Sequence, residues 1–406
     1  MTQKKKPVLR FKGFTDDWEQ RKLGELAEFN PKASLPDSFE YVDLESVVGT
    51  RIINHRTEKK DSAPSRAQRL AQPGDVFYQT VRPYQRNNCL FTGAEKSYVF
   101  STGYAQLRSH GDSYFLLTML QKDDFVNSVM DRCTGTSYPA INSNELAEIN
   151  VIFPTIIQEQ KELGQFFKNI DNLITLHQRK YEKLRNLKKF FLEKIFPQNG
   201  KRVPEVRFAG FTGDWEQRKL GEMLEFRNGF NGSSEIYGGD TPLISVMDIL
   251  NNNFITHDKI LAHVCVDNNI KERFKISYGD VLFQRSSENY EDAGTSNVYI
   301  DRQNNAIFGG FVIAGKKLKE YDPICFKYLL DSKYVRNQII RKAQGAQHIN
   351  VSQDTLQNVA IYIPNMEEQN KIGAYLHNID HLITLHQRKL EKLQNLKKAA
   401  LDKMFV

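Results

Sequence analysis

Apolar positions follow a 3,4 rhythm from Leu163 to Ile195: Leu163, Phe167, Ile170, Ile174, His177, Tyr181, Leu184, Lys188, Phe191 and Ile195 share one stripe. The rhythm returns at Ile372, Leu376, Ile379, Ile383, His386, Leu390, Leu393, Lys397, Ala400 and Met404. This spacing predicts a coiled-coil seam, and Phe166, Leu173 and Leu187 add a second apolar row beside the first copy. Residues 159–196 and 368–405 align without a gap and agree at 24 of 38 positions, so they are two copies of one element. Pro154 and Pro364 precede the two helices, and Pro197 closes the first. A helix of roughly 40 residues is about 60 Å long. With a wide apolar face it needs a partner, and its own copy is the economical one. The chain order is domain, helix, domain, helix. Antiparallel packing then lets one domain hang at each end of the helix pair.

Between the helices the period changes. Short β-rich runs at residues 40–44, 75–78 and 98–100 alternate with turn signals, and residues 113–129 form one apolar helical pattern. The second half repeats this plan at residues 242–246, 280–283 and 306–314, with a helix over 323–342. Residues 10–25 and 207–222 agree at 14 of 16 positions and hold the only tryptophans, Trp18 and Trp215, read as anchors packed into their domains. Gly74-Asp75 recurs as Gly279-Asp280. Residues 135–154 recur as 345–364, a last strand running into each helix. The expected division is a first domain over 1–155, a helical spacer over 156–197, a linker over 198–204, a second domain over 205–365 and a second spacer over 366–406. The expected fold class is α+β: two similar mixed α/β domains separated by two long helices in an antiparallel coiled coil, with an internal pseudo-twofold.

Composition narrows the function. A charged fraction of 26% and a hydrophobic fraction of 40% are ordinary for a globular protein. No apolar run approaches the roughly 18 residues that cross a bilayer. Cys89, Cys133, Cys265 and Cys325 are scattered without metal-ligand spacing, which fits reduced thiols in a cytoplasmic protein. No phosphate loop, dinucleotide fingerprint, zinc-protease motif or nucleophile elbow is present, and no carboxylate cluster argues for a metal-dependent nuclease. No catalytic residue and no metal ligand is expected. The net charge of +7 leans toward a polyanionic partner.

The segments after the Gly-Asp landmarks carry the groups that contact phosphates and base edges. In the first domain these are Thr80, Arg82, Tyr84, Arg86 and Asn87, with Thr136 and Ser137 from a second loop. In the second they are Gln284, Arg285, Ser286, Ser287 and Asn289, with Gln347 and His348. Arginine offers guanine a two-pronged donor, and asparagine or glutamine does so for adenine. Serine, threonine and lysine hold the backbone. The basic run Arg51, Arg56, Lys59, Lys60, Arg66 and Arg69 reads equally as a solvated face or a phosphate track.

The duplicated domain-plus-helix layout, the Gly-Asp landmarks, the strand leading into each helix and the Glu-Gln…Ile-Asp…Leu repeats together resemble the specificity subunit of type I restriction-modification systems. The resemblance covers essentially the whole chain. It implies that each variable domain reads one half of a bipartite site in double-stranded DNA. It also implies that the helices dock two modification (methyltransferase) subunits, and that restriction subunits join them. The chain itself would then be non-catalytic and hold no cofactor. S-adenosylmethionine would belong to the modification subunits, ATP and Mg²⁺ to the restriction subunits. Asp171, Gln178, Arg179 and Lys180 recur as Asp380, Gln387, Arg388 and Lys389, and identical exposed residues on two helices suit two identical partners. The alternatives are a stand-alone nucleic-acid-binding scaffold and a nuclease with an unfamiliar site.

Overall fold

The computed structural model describes residues 6–93, 95–198, 200–232, 237–303, 305–345 and 348–406. Two compact units emerge: residues 1–178 with 388–406, and residues 179–387. The division runs through the long helices, Ile157–Lys194 and Met366–Met404, so each unit owns a globular domain and a segment of both helices.

In the first unit, one four-stranded sheet runs in the order Ala27–Phe29, Tyr104–Ser109, Asp75–Gln79, Cys89–Leu90, all antiparallel. A second sheet orders Arg56–Lys59, Ser38–Val42, Tyr98–Ser101 and Ala67–Leu70, with one parallel pair in it. The entry segment Glu19–Lys22 pairs antiparallel with Asn150–Phe153, the strand that leads into the first long helix. The second unit repeats this frame: Leu224–Asn228, Val312–Lys317, Val281–Gln284 and Ser296–Val298 form the antiparallel sheet, and Glu216–Lys219 pairs with Ala360–Ile363.

Each domain's single expected helix is two. Ser113–Met119 is followed by Asp123–Met130, and Pro323–Asp331 by Lys333–Lys342. The backbone turns extended at Lys122 (ψ 145°) and at Ser332 (ψ 144°), which breaks the hydrogen-bond ladder although the apolar pattern continues. The break lets both helices lay apolar faces on the core: Phe115, Leu116, Phe125 and Val129 are buried in the first domain, and Phe326, Leu330, Val335 and Ile339 in the second.

The repeated helix residues are explained by how the domains grip them. Glu159 is buried and takes both prongs of Arg10, at 2.6 and 2.8 Å; Glu368 takes Arg207 at 2.8 and 2.7 Å. Next in sequence, Gln160 donates to the Pro154 carbonyl and accepts from the Asp112 N–H; Gln369 does the same with Pro364 and Asp322. Asp112 and Asp322 cap the domain helices by accepting from Phe115 and Cys325 N–H. Those helix ends abut the long helices at Gly164 and Gly373, where an added β-carbon would overlap Oδ1 of Asp112 or Asp322.

Antiparallel pairing of the long helices is visible inside each unit. In the first, the beginning of Ile157–Lys194 meets the end of Met366–Met404: Lys397 Nζ lies 2.6 Å from Asp171. In the second, the end of the first helix meets the beginning of the second: Lys188 Nζ lies 2.6 Å from Asp380. The ends close hydrophobically. Phe405 packs on Trp18, Phe115 and Phe167, and Phe196 packs edge-on to Trp215. Both tryptophans are buried.

Candidate nucleic-acid interface

In each domain the segment leaving the central strand is held against the segment that precedes the last strand. In the first domain, Val81 and Thr134 both bridge to Ala140, and the Arg82 N–H donates to the Pro139 carbonyl at 2.7 Å. In the second, Ser286–Ser287 pairs with Ile349–Asn350, and Gln344 bridges to Asn350. A buried glutamine fixes the turn in both: Gln79 Nε2 donates to the Val81 carbonyl at 2.6 Å, and Gln284 Nε2 to the Ser286 carbonyl at 2.8 Å. The backbone frame is shared, so what differs is the exposed side chains on it.

Arg82 and Arg86 both adopt left-handed backbone (φ 54° and 55°) on either side of the short turn Pro83–Gln85. Such a conformation is costly without glycine and persists where the surroundings enforce it. It sets Tyr84 at the tip, 50% exposed. The Arg82 guanidinium lies 4.2 Å from the centre of the Tyr138 ring, itself 64% exposed. Among the described residues that guanidinium makes no hydrogen bond or ion pair, so its donors remain available. Arg86 is different: it pairs with Asp123 at 2.6 Å and donates to the Gln121 carbonyl, holding the Asp123 carboxyl below its usual range. Asn87 accepts from the Gly49 N–H, tying a neighbouring loop. Thr136 and Ser137 are exposed.

In the second domain Arg285 is half-buried, with Nη1 3.4 Å from the Gly310 carbonyl. Asn289 is exposed and locks its loop through Asp292; the Tyr290 hydroxyl donates to the Gly345 carbonyl. His348 is exposed and Ser286 half-buried. Gln347 lies outside the described residues.

Three expected contact residues face inward instead. Thr80 donates to the Gly103 carbonyl, Gln284 holds its turn, and Ser287 donates to the Asn289 carbonyl; all three are buried. They shape the loops and do not offer groups to a ligand. Tyr138, at the end of the same loop as Thr136 and Ser137, joins the site through its ring contact with Arg82.

The helix residues sort similarly. Asp171 is half-buried and Asp380 buried; each carboxylate is held by a lysine and by a tyrosine hydroxyl, Tyr114 at 2.8 Å and Tyr328 at 2.7 Å. They join domain to helix and are not exposed faces. Arg179, Lys180, Arg388 and Lys389 are exposed, as is Gln387, while Gln178 is half-buried. Beside them are exposed leucines: Leu173, from the second apolar row, with Leu176 at 44% and 46% exposure, and Leu382 with Leu385 at 40% and 38%. Three- and four-residue spacing puts Leu173, Leu176 and Lys180 on one helical face, and Leu382, Leu385 and Lys389 on its copy.

The model of the type I restriction modification DNA specificity domain matches the sequence twice, over residues 15–186 and 212–395. The chain belongs to that family. Among curated relatives, the specificity subunit of the type I restriction enzyme MjaVIII from Methanocaldococcus jannaschii is 22% identical over 306 residues, covering 72% of this chain and 68% of that one. The putative MjaX specificity subunit of the same organism is 24% identical, covering 72% and 67%. Among solved structures, the S subunit of a type I restriction-modification system from M. genitalium superposes with a TM-score of 0.61 at 15% identity, covering 99% of both chains, and shares the fold. The specificity-domain family accounts for a chain with two copies of one loop platform. Among the described residues no group of three or more His, Cys, Asp or Glu side chains could hold a metal ion, and no helix is long and apolar enough to cross a membrane.

Proposed function

We propose that this chain is the DNA-reading subunit of a type I restriction-modification complex, in which each globular domain reads one half of a bipartite site. The observation that carries this reading is the doubled loop platform: one buried glutamine turn and one bridge geometry, bearing Arg82, Tyr84 and Tyr138 in one domain and Arg285, Asn289 and His348 in the other. A shared frame with unlike exposed groups is what two different half-sites require.

Two modification subunits dock on the two leucine and Arg-Lys faces of the long helices, and restriction subunits join through them. The paired faces favour this over a stand-alone scaffold, because the same two exposed leucines and the same Arg-Lys pair recur at matching places on both helices, as two like partners require. S-adenosylmethionine is then bound by the modification subunits and ATP with Mg²⁺ by the restriction subunits, with the whole assembly working in the cytoplasm.

Methylome sequencing tests the reading. A cell carrying this chain and its candidate methyltransferase should show a split adenine-methylated motif that is absent with either protein alone. Exchanging residues 205–364 for another such domain should change one half of that motif; a change in both halves contradicts the modular reading.

A further inference from the structure

Among the described residues, the most exposed aromatic ring of the second unit makes no contact with another ring or with a cation. Phe311 is 73% exposed, at the turn between Ile307–Phe308 and Val312–Lys317. The turn is tightly specified. The Val312 N–H donates to the Gly309 carbonyl, and a β-carbon on Gly310 would run into Asn231. Phe311 therefore sits in a hydrogen-bonded turn.

Its neighbour is the arginine of the candidate DNA site. Gln284 pairs with Val312 in the antiparallel ladder, so the next position sets Arg285 opposite Phe311; the Arg285 N–H donates to the Phe311 carbonyl at 2.9 Å. The ladder ends at Gln284 and Val312, and this hydrogen bond holds the backbones of Arg285 and Phe311 together just beyond it. The corresponding pair in the first domain is Thr80 and Gly103, joined by the same hydrogen bond. There the turn is covered: a β-carbon on Gly103 would meet Leu44. The frame does not need an aromatic at this position, and only the second domain has one.

We propose that Phe311 reads a thymine in the second half-site by contact with its 5-methyl group, beside a base contacted by Arg285. This rests on the reading that the domain binds DNA. Stacked base pairs hide their faces, and the thymine methyl is the apolar group that base edges display in the major groove. A phenylalanine set beside an arginine fork matches that edge without unstacking the duplex.

The test uses the chain with its methyltransferase partner and duplexes carrying the motif found by methylome sequencing. Each thymine is replaced in turn by deoxyuridine, which removes only the methyl. Wild type should lose roughly three- to fivefold in affinity at one thymine of the second half-site, the worth of one buried methyl-sized group. Phe311→Ala should bind the thymine duplex more weakly than wild type, be indifferent to that replacement, and bind the partner normally. Equal sensitivity to deoxyuridine in wild type and variant overturns the proposal. So does a variant that loses the methyltransferase but not DNA, which would make Phe311 a protein contact. A variant weakened on every duplex, with no sensitive thymine in wild type, overturns it in favour of a wedge between bases. Wild type without any half-site preference would instead sink the DNA-reading proposal itself.

Discussion

Asp171 on the first long helix and Lys397 on the second face each other at 2.6 Å, and the same carboxylate accepts the Tyr114 hydroxyl. One side chain thus fastens the domain and both helices of its unit. Asp380 does so with Lys188 and Tyr328 and is the more buried of the two. Removing either lysine leaves a shielded carboxylate short of its cation. Lys188→Ala should cost about 2–3 kcal/mol and Lys397→Ala about 1–2 kcal/mol, by chemical denaturation. Equal, negligible costs would show the pairs to be solvent-screened.

Gly164→Ala offers a test in which two effects oppose. In a helix interior alanine is favoured over glycine by about 1 kcal/mol. Here the new β-carbon collides with the capping carboxylate of Asp112, and overpacking of this kind costs about 1–3 kcal/mol. The collision should win, lowering the melting temperature, and Gly373→Ala should behave alike against Asp322. Stabilisation of either variant would mean that the cap can move aside freely.

Arg82 and Arg86 should separate in binding assays. Arg82→Ala removes an uncommitted guanidinium and should cost about 1–3 kcal/mol on one half-site while leaving the other unchanged. Arg82→Lys keeps the charge but loses the flat fork and its stacking on Tyr138, so it should rescue little selectivity. Arg86→Ala acts through its ion pair with Asp123 and should loosen the loop and raise its protease sensitivity. A uniform loss over unrelated sequences for Arg82→Ala would make it a phosphate contact.

Asp280 predicts a pH response in the second domain. It accepts from the Ser277 and Lys317 N–H groups, whereas Asp75 in the first domain has Arg108 at 2.9 Å. Burial pushes the Asp280 carboxyl above its ordinary value. The folded state therefore holds this proton more tightly than the unfolded chain does. The resulting stability is fully present below the ordinary pKa, near 3.9, and is lost as pH rises through the raised one. Compared with Asp280→Asn, wild type should gain relative stability as pH is lowered from 7 toward 4. A stability difference that is constant with pH contradicts this.

The long helices and the duplication were legible because a 3,4 period sustained over two copies has few alternatives. The strand pairing into each helix was legible from the aligned prolines and alternating apolar positions. The helix breaks at Lys122 and Ser332 were not, since the apolar pattern runs through a backbone turn that only the packing on both sides makes worthwhile. Loop residues were harder still. A threonine, a glutamine and a serine that look like ligands for a nucleic acid are used to shape the turns, and composition cannot tell a group aimed outward from one aimed at a carbonyl. Asp171 and Asp380 were misread as exposed for the same reason: identity in both copies marks a shared need, and here that need is internal.

The second unit is one unbroken stretch of chain, but the first borrows residues 388–406. On the ribosome, residues 1–178 emerge early and cannot finish their core, because Ala400, Met404 and Phe405 belong to the cluster around Trp18. Of the two, the unit begun first is thus completed second, and its closing waits for the second long helix to be translated. Synthesis interrupted between residues 387 and 400 would release a chain whose second unit is whole and whose first is still open.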